Sequence, residues 1–441
     1  MATTEFNLDL QAETAAPSAQ RAPWLAFLFL FGIFAFATPF ELDYTIRRAS
    51  LDEKIENMAE GALGRKLAMP ALGAYGLWLL VGGRSRRLKI NGLLGLAFGG
   101  YLALAFISLF WSEDLLFTTR KLAVFGLLML GAIGMAARFS LKEVMQLALM
   151  MSCGVLSLGL STELALGTFL RAPENAVYQF AGVMHSNALS CYCALGVFSA
   201  FSLSKLEPQR RRFYLTLMMV GLGFLFLIKS RTAFGGTVVV LSLIWTATTD
   251  LKRKVVTFLC AGTICCALGL AFSDDLAGRL TSASLLGREQ EGTAGSLSNR
   301  LPLWRECLDY MAERPLLGYG YESFWTPQRA YTIARGQGWV AEHSHNGYLE
   351  MALSLGVVGL AVFALVLGAV LNRTFTAWRS SGDAVYLYAF AVMVWLCLEM
   401  LLEKVYLFPI FPSFVCNLLI ARFAFAQVGE QQPEWSFTWE R

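Results

Sequence analysis

The sequence predicts an all-α polytopic membrane protein with about twelve transmembrane helices and one large extracytoplasmic loop. Hydrophobic residues make up 56% of the 441 residues and charged residues only 15%, whereas a soluble globular chain carries about 25% charged residues. The mean hydropathy is +0.53. The charges fall in short runs between apolar stretches of roughly 17–25 residues, which is the length that crosses a bilayer core.

The apolar stretches give the predicted spans in chain order. The first stretch ends without a small-residue cleavage pattern, so we interpret it as a retained span and not as a signal peptide. Hydropathy along the remainder of the chain adds further spans. The predicted spans are 23–40, 67–83, 91–111, 121–138, 143–163, 183–203, 213–228, 232–249, 255–273, 346–371, 383–403 and 405–425.

Basic clusters determine the predicted orientation, because short loops rich in Lys and Arg face the cytoplasm. Such clusters occur in alternate loops and place both termini in the cytoplasm. One outer segment, 41–67, disagrees, since it carries basic as well as acidic residues; its pattern predicts an amphipathic interfacial helix. The predicted organisation is a tail (1–22), transmembrane helices 1–9 (23–273), a large periplasmic loop (274–345), transmembrane helices 10–12 (346–426) and a second tail (427–441).

The large predicted loop combines a Gly/Ser-rich opening with an amphipathic helix. Apolar residues recur at helical spacing and predict one apolar face, formed by Leu301, Trp304, Leu308 and Met311. The helix should stop at Arg314-Pro315, and the glycine-rich sequence that follows predicts a tight turn. We expect this helix to lie on the membrane surface over a cavity among the spans.

The chain contains three histidines, and all of them lie at predicted membrane borders. Imidazole titrates near neutrality and can accept a proton from a hydroxyl group. His345 precedes Asn346, which should open the tenth span, and Glu350 follows one turn further along that span. This position at a helix start makes His345 the candidate general base. The alternative interpretation is that His345 only hydrogen-bonds the loop backbone. His343 is equally well explained as a solvated neighbour or as a participant, and for His185 a structural role is favoured over a substrate contact.

Arginines near the outer surface are candidate anion ligands. Arg231 lies in a very short turn between two spans, where charge is costly unless it binds something. Its guanidinium fits a pair of phosphate oxygens, although it could instead anchor the helix end. Arg300 and Arg305 belong to the predicted loop helix, and Arg300 is the better candidate of the two. Tyr319 could stack on a sugar ring, although aromatic residues are also common at membrane interfaces.

Two acidic residues and several missing motifs complete the prediction. Glu399 and Glu403 lie one turn apart in the eleventh predicted span, and we expect an ion pair with an arginine of the site or with Lys404. The sequence contains no P-loop, no dinucleotide-binding motif and no Asp-rich magnesium cluster. Two loop histidines without a further ligand also argue against zinc. We therefore predict no metal and no cofactor, and the net charge of +4 does not indicate nucleic acid.

Three segments of the sequence resemble the O-antigen ligase and polymerase superfamily of bacterial envelope glycan assembly. They are the turn 230–232, the stretch 300–320 and, as the most specific of the three, the run 343–350 followed by Gly356 and Gly359. The resemblance covers roughly residues 180–370. His343 departs from the minimal family pattern, in which often only the histidine before the asparagine is present.

The resemblance implies a GT-C-like fold and an inverting, metal-independent glycosyltransferase in the bacterial inner membrane, with its active site on the periplasmic side. The implied partners are a glycan donor on polyprenyl diphosphate, a glycan acceptor and membrane lipids. Arg231 and Arg300 would hold the diphosphate, and His345 would activate the acceptor hydroxyl. Further candidate substrate contacts are His343, His185, Asn346, Glu350, Arg305 and Tyr319.

Within the superfamily, the sequence is more similar to exopolysaccharide polymerases of the succinoglycan type. This similarity predicts polymerisation of lipid-linked repeat units, for which a chain-length regulator would be an expected partner. The first alternative is an O-antigen ligase with lipid A core as acceptor. The alternative of another class is a flippase for lipid-linked sugars; transporters of this layout place ionisable residues near the midplane and have repeated halves, whereas here the distinctive residues gather at the outer surface.

Overall fold

A computed structural model gives the fold of the chain. The structure describes residues 23–38, 63–82, 88–171, 178–248, 295–337, 339 and 341–426. Within these ranges the secondary structure consists of helices and turns, with one isolated bridge between Leu88 and Ala426 and no strand. The predicted all-α class is therefore confirmed for the described part of the chain.

The α-helices are numbered here in chain order along the described residues. They are α1 (Trp24–Ala37), α2 (Leu63–Val81), α3 (Gly92–Ile107), α4 (Leu115–Arg138), α5 (Leu141–Leu166), α6 (Ser186–Leu206), α7 (Arg211–Ile228), α8 (Arg231–Thr248), α9 (Gly295–Glu313), α10 (Pro327–Gln337), α11 (Gly347–Ser381), α12 (Ala384–Glu399) and α13 (Phe411–Phe425). Short 3₁₀ turns occur at Ser108–Trp111, Pro208–Arg210 and Val405–Leu407.

Six of the described helices are long and apolar enough to cross a membrane: α3 with its 3₁₀ extension, α4, α5, α6, α7 with its preceding 3₁₀ turn, and α11. The helices α1, α12 and α13 are apolar but shorter. Each described helix that corresponds to a predicted span begins within six residues of the predicted start. Twelve spans in total remains a prediction. The ninth predicted span and both predicted tails lie outside the described residues.

The centre of the bundle is formed by helices that are apolar on all sides, as expected for helices without a water-facing stripe. The helix α6 is buried over most of its length and packs against α5, α7 and α12. The helix α13 is likewise buried and packs against α3 and α4. The helix α12 also packs against α11, so the start of α6, the start of α11 and the end of α12 are held relative to one another.

The long helix α11 bends at Gly356, which has a φ of +65° and leaves the helical conformation. The turn that follows α9 fills this break and satisfies the backbone groups that the helix no longer pairs. The hydrogen bonds run from Tyr319 N–H to Leu353 O (2.9 Å), Gly320 N–H to Ser354 O (2.9 Å), Val357 N–H to Pro315 O (2.8 Å) and Val358 N–H to Leu316 O (3.3 Å). The glycine-rich turn thus attaches the loop to α11, a few turns from the helix start.

Replacing Gly356 with alanine should lower the thermal stability of the protein in detergent. A Cβ atom at this position would lie 2.1 Å from the carbonyl oxygen of Leu316. The backbone conformation, with φ +65° and ψ −168°, is essentially restricted to glycine and costs another residue about 1–3 kcal/mol in addition. The matched control is Gly368→Ala in the same helix, where an added Cβ meets nothing within 4 Å. Thermal unfolding followed by intrinsic fluorescence compares the two variants, and equal midpoints would contradict the role of the bend.

The loop helix has a second apolar side, next to the predicted apolar face, and this second side is the one buried within the protein. In α9 the fully buried side chains are Leu303 and Cys307, whereas Leu301 and Leu308 are 48% and 50% exposed. The sequence offers two neighbouring apolar stripes, and the neighbours α10 and α11 decide which one is covered. The helix end near Arg314 and the turn after it agree with the prediction.

Candidate active site

The candidate site lies where the ends of several helices meet. The Nδ2 group of Asn187, in the first turn of α6, donates to Glu403 Oε1 at 2.6 Å. The hydroxyl of Thr232, in the first turn of α8, donates to Glu399 Oε1 at 3.2 Å. The backbone N–H of Gly347, the first residue of α11, donates to the carbonyl oxygen of Met400 at 2.8 Å. The starts of α6, α8 and α11 therefore surround the end of α12 and the segment after it.

Glu403 is the buried centre of this site, with only 4% of its surface exposed. Its Oε1 accepts from Asn187 and from Arg300 Nη2, the latter at 2.9 Å. Its Oε2 lies 3.4 Å from His345 Nδ1. Arg300 also donates from Nη1 to the carbonyl oxygen of Leu402. One carboxylate thus joins the candidate base to the candidate diphosphate ligand, and the expected ion pair of Glu403 with a site arginine is confirmed.

The charge state of Glu403 follows from these contacts. Burial alone would raise the pKa of its carboxyl group, but the hydrogen bond with His345 and the positive charge of Arg300 hold this pKa below its ordinary value. Glu403 is therefore ionised at neutral pH. An ionised carboxylate in this position accepts hydrogen bonds only, so it orients the N–H groups of its neighbours.

The two loop histidines are in contact with each other. Their ring centroids lie 4.0 Å apart, and the backbone N–H of His345 donates to His343 Nδ1 at 3.2 Å. The ring of His343 packs edge-on against Phe408. Burial, with the neighbouring His345 ring and Lys404 ammonium group, holds the pKa of His343 well below its usual value. His343 is therefore neutral at neutral pH.

His345 has a φ of +54°, a left-handed conformation that is uncommon for a residue with a side chain. The buried carboxylate of Glu350 helps to hold this segment, because its Oε1 accepts from the N–H of Ser344 and from Trp325 Nε1. The carbonyl oxygen of the same serine accepts from Trp304 Nε1 at 2.7 Å. A conformation that the surroundings fix in this way is typical of functional sites.

Asn346 and Glu350, both predicted as candidate substrate contacts, use their side chains within the protein. Asn346 caps α11, because its Oδ1 accepts from the N–H groups of Tyr348 and Leu349, each at 3.0 Å. The Glu350 carboxylate accepts hydrogen bonds from Ser344 and Trp325 and also lies 3.7 Å from Lys404 Nζ. Both residues position His345 by fixing the point at which the loop becomes helix.

A second charged cluster was not foreseen from the sequence. Lys404 pairs with Glu322, whose other oxygen lies 3.5 Å from Lys121 Nζ. Burial would raise the pKa of the Glu322 carboxyl group, but these two lysines hold it below its ordinary value. Glu322 is a further non-glycine residue with a positive φ, +53°. Its partners come from α4 and from the segment after α12, so no sequence pattern could have joined them.

The remaining predicted residues lie in different surroundings. Arg231 is the first residue of α8, beside the Thr232 hydroxyl that reaches Glu399. His185 caps α6 through an Nδ1 that accepts from the N–H of Asn187 at 3.1 Å. Arg305 is exposed on α9. Tyr319 is 1% exposed in the loop's own hydrophobic cluster, and its hydroxyl donates to the Tyr310 carbonyl oxygen at 2.8 Å.

Residues 214–364 match the family model described as O-antigen ligase. The predicted superfamily resemblance is confirmed. The matched segment extends from α7 into α11 and supports a membrane enzyme of the O-antigen ligase or polymerase type. No curated protein matches the chain.

The segment that matches the O-antigen ligase family contains Arg231, Arg300 and both loop histidines, whereas Glu403 lies outside it. The sequence did offer a signal for Glu403, since it is an acidic residue at the border of an apolar span. The carboxylate of Glu403 is also a candidate third metal ligand beside the two histidines, which the sequence analysis did not find. Ligand atoms of His343, His345 and Glu403 all lie within 4.8 Å of one another, so the expectation that these histidines have no further candidate ligand is wrong.

Proposed function

We propose that the protein polymerises polyprenyl-diphosphate-linked oligosaccharide repeat units into an exopolysaccharide or O-antigen-like glycan. The reaction would take place at the periplasmic face of the bacterial inner membrane, by inverting glycosyl transfer that needs no metal ion. The observation that carries the proposal is the buried carboxylate of Glu403, which contacts both His345 and Arg300. A growing lipid-linked chain would be transferred to the next lipid-linked repeat unit.

His345 would act as the general base. The contact between its Nδ1 and Glu403 Oε2 favours the tautomer that carries the proton on Nδ1, which leaves Nε2 to accept a proton from the acceptor hydroxyl. As the acceptor oxygen attacks the anomeric carbon, the bond from this carbon to the diphosphate oxygen breaks on the opposite face, and the configuration inverts. Glu403 would orient the imidazole and stabilise the positive charge that it gains.

Arg300 and Arg231 would hold the leaving diphosphate. Diphosphate is a good leaving group, so the protein mainly has to neutralise its growing charge and position the acceptor. Arg300 uses one N–H at each of its Nη atoms for Glu403 and Leu402, and guanidinium has five N–H groups in all. Arg231 stands at the start of α8, where the helix dipole also favours an anion.

The variant Arg231→Lys should reduce activity although the positive charge remains. Lysine is a single point charge and lacks the planar fork that binds two phosphate oxygens at once, so we expect the KM for the lipid-linked donor to rise by roughly tenfold or more, equivalent to about 1.4 kcal/mol. Initial rates at varied donor concentration measure this effect. The control is Lys229→Arg in the same turn, and a KM for Arg231→Lys equal to that of the wild type would contradict the diphosphate role.

The proposal is tested with purified protein in EDTA and a lipid-linked repeat unit from the native host, the products being separated on a gel. A ladder of longer lipid-linked glycans is the expected result. The ligase function is a second candidate, favoured by the description of the matching family, and it predicts no ladder but transfer to added lipid A core. If neither product forms while vesicles translocate the lipid-linked sugar, the flippase alternative replaces both. A chain-length regulator, added separately, should change only the ladder's length distribution.

A further inference from the structure

We propose that His343, His345 and Glu403 form a binding site for a divalent transition-metal ion of the zinc type. We further infer that the bound ion inhibits the enzyme. The inhibitory part rests on the function proposed above, whereas the binding site does not. The sequence resemblance gives no reason for such a site, since His343 is the residue that departs from the minimal family pattern.

The geometry of the three side chains fits a metal ion. One ligand atom from each of them lies within 4.8 Å of the other two. The separation of 3.4 Å between His345 Nδ1 and Glu403 Oε2 is long for a charge-assisted hydrogen bond. It matches the distance between neighbouring ligands of a tetrahedral zinc ion, which is roughly 3.4 Å for bonds of about 2.0–2.1 Å. The distance between His345 Nδ1 and Glu403 Oε2 is therefore compatible with coordination of one metal ion as well as with a hydrogen bond.

The chemistry of the ligands also favours zinc. Two imidazoles and one carboxylate are a common zinc ligand set, and three protein ligands leave a fourth position for water. The histidines stand at positions i and i+2 of one short segment, and the carboxylate comes from a different part of the chain. A site of this kind forms only when the fold brings the two segments together.

Groups around the three ligands hold them in place. Arg300 and Asn187 occupy the Oε1 atom of Glu403 and leave Oε2 facing His345. Ser344 is held between the two histidines by its own backbone hydrogen bonds. Such outer contacts orient metal ligands and strengthen binding. The positive charge of Arg300 opposes a cation, so we expect weaker binding than at a dedicated structural zinc site.

Inhibition follows from the atoms that the ion would use. A bound ion takes Nδ1 of His345 and an oxygen of Glu403, so the proton of the neutral imidazole moves to Nε2, and this atom can then no longer accept a proton. The general base is then lost, while the protein and its arginines remain unchanged. The enzyme should therefore be inhibited by zinc and fully restored by a chelator.

Binding is tested on the full-length protein in detergent, first stripped with EDTA and then titrated with Zn²⁺ in a calorimeter. We expect one saturable site, and His343→Ala should weaken it by about tenfold or more, since even outer-shell changes cost about 10–100-fold. The matched control is Glu342→Ala, which changes an exposed residue next to His343 and should leave zinc affinity unchanged. Co²⁺ absorption distinguishes a nitrogen and oxygen site from binding to the chain's nine cysteines, because thiolates add charge-transfer bands.

Activity provides the second measurement. Zn²⁺ should inhibit glycosyl transfer by the wild type, EDTA should reverse the inhibition, and His343→Ala should need about tenfold more zinc relative to its own uninhibited rate. Binding that is absent, or equal in His343→Ala and the wild type, would overturn the site, and acceleration by zinc would overturn its inhibitory role. If the protein transfers no glycan at all, the proposed function fails while the calorimetric result still decides the metal site.

Discussion

Replacing His345 with alanine should abolish polymer formation and leave the amount of membrane-inserted protein unchanged. General base catalysis contributes about 10²–10⁴-fold to the rate, and the fixed position of this imidazole against Glu403 favours the upper part of that range. The side chain is 21% exposed at a loop border, so its loss opens no cavity in the bundle core. The gel assay with the lipid-linked repeat unit measures the effect.

The control for His345→Ala is Glu342→Ala, which changes an exposed residue of the same loop. Thermal unfolding in detergent should be similar for both variants and the wild type. A wild-type ladder from well-inserted His345→Ala protein would refute the assignment of the base. His343→Ala, assayed in parallel, decides between the two histidines, because only His345 contacts Glu403 directly among the described contacts.

Much of this fold could be predicted from the sequence because membrane helices are defined locally. An apolar stretch of sufficient length specifies a helix whatever its neighbours are. The start of α11 is an example, since Asn346 is a typical capping residue and the helix begins at the next position. The sequence of α9 could not show which side the protein covers, because the helix has two apolar stripes and only the packing of α10 and α11 covers one of them.

The site could be predicted only in part, because its residues act through long-range contacts. His345 and Arg300 were found from residue type and position alone. Their connection depends on Glu403, which is 58 residues from His345 in the chain, and on Asn187, which is 216 residues from Glu403. The bend at Gly356 and the brace at Glu350 are likewise consequences of packing between the loop and α11.

Replacing Glu403 with glutamine should have the second large effect, since it removes the carboxylate shared by Arg300 and His345. Glutamine keeps the size of the side chain but has only one acceptor oxygen, and its amide donors would face the donors of its neighbours. Breaking a buried ion pair on one side costs about 3–5 kcal/mol. We expect lower thermal stability and a rate of glycosyl transfer reduced by about 10²-fold or more, since two functional side chains lose their orientation.

A double-mutant cycle separates this positioning role from a merely structural one. The cycle compares Glu403→Gln, Arg300→Gln and the double variant in the same rate assay, with Glu399→Gln as the control one turn away. If Glu403 couples the two functional side chains, the effects on the rate should be less than additive, with an interaction of about 0.5–3 kcal/mol. Additive effects would mean that Arg300 and Glu403 act independently, and a loss as large in Glu399→Gln would show that any carboxylate of this region matters equally. The carboxylate is therefore the element whose removal tests whether diphosphate binding and base catalysis are coupled in one site.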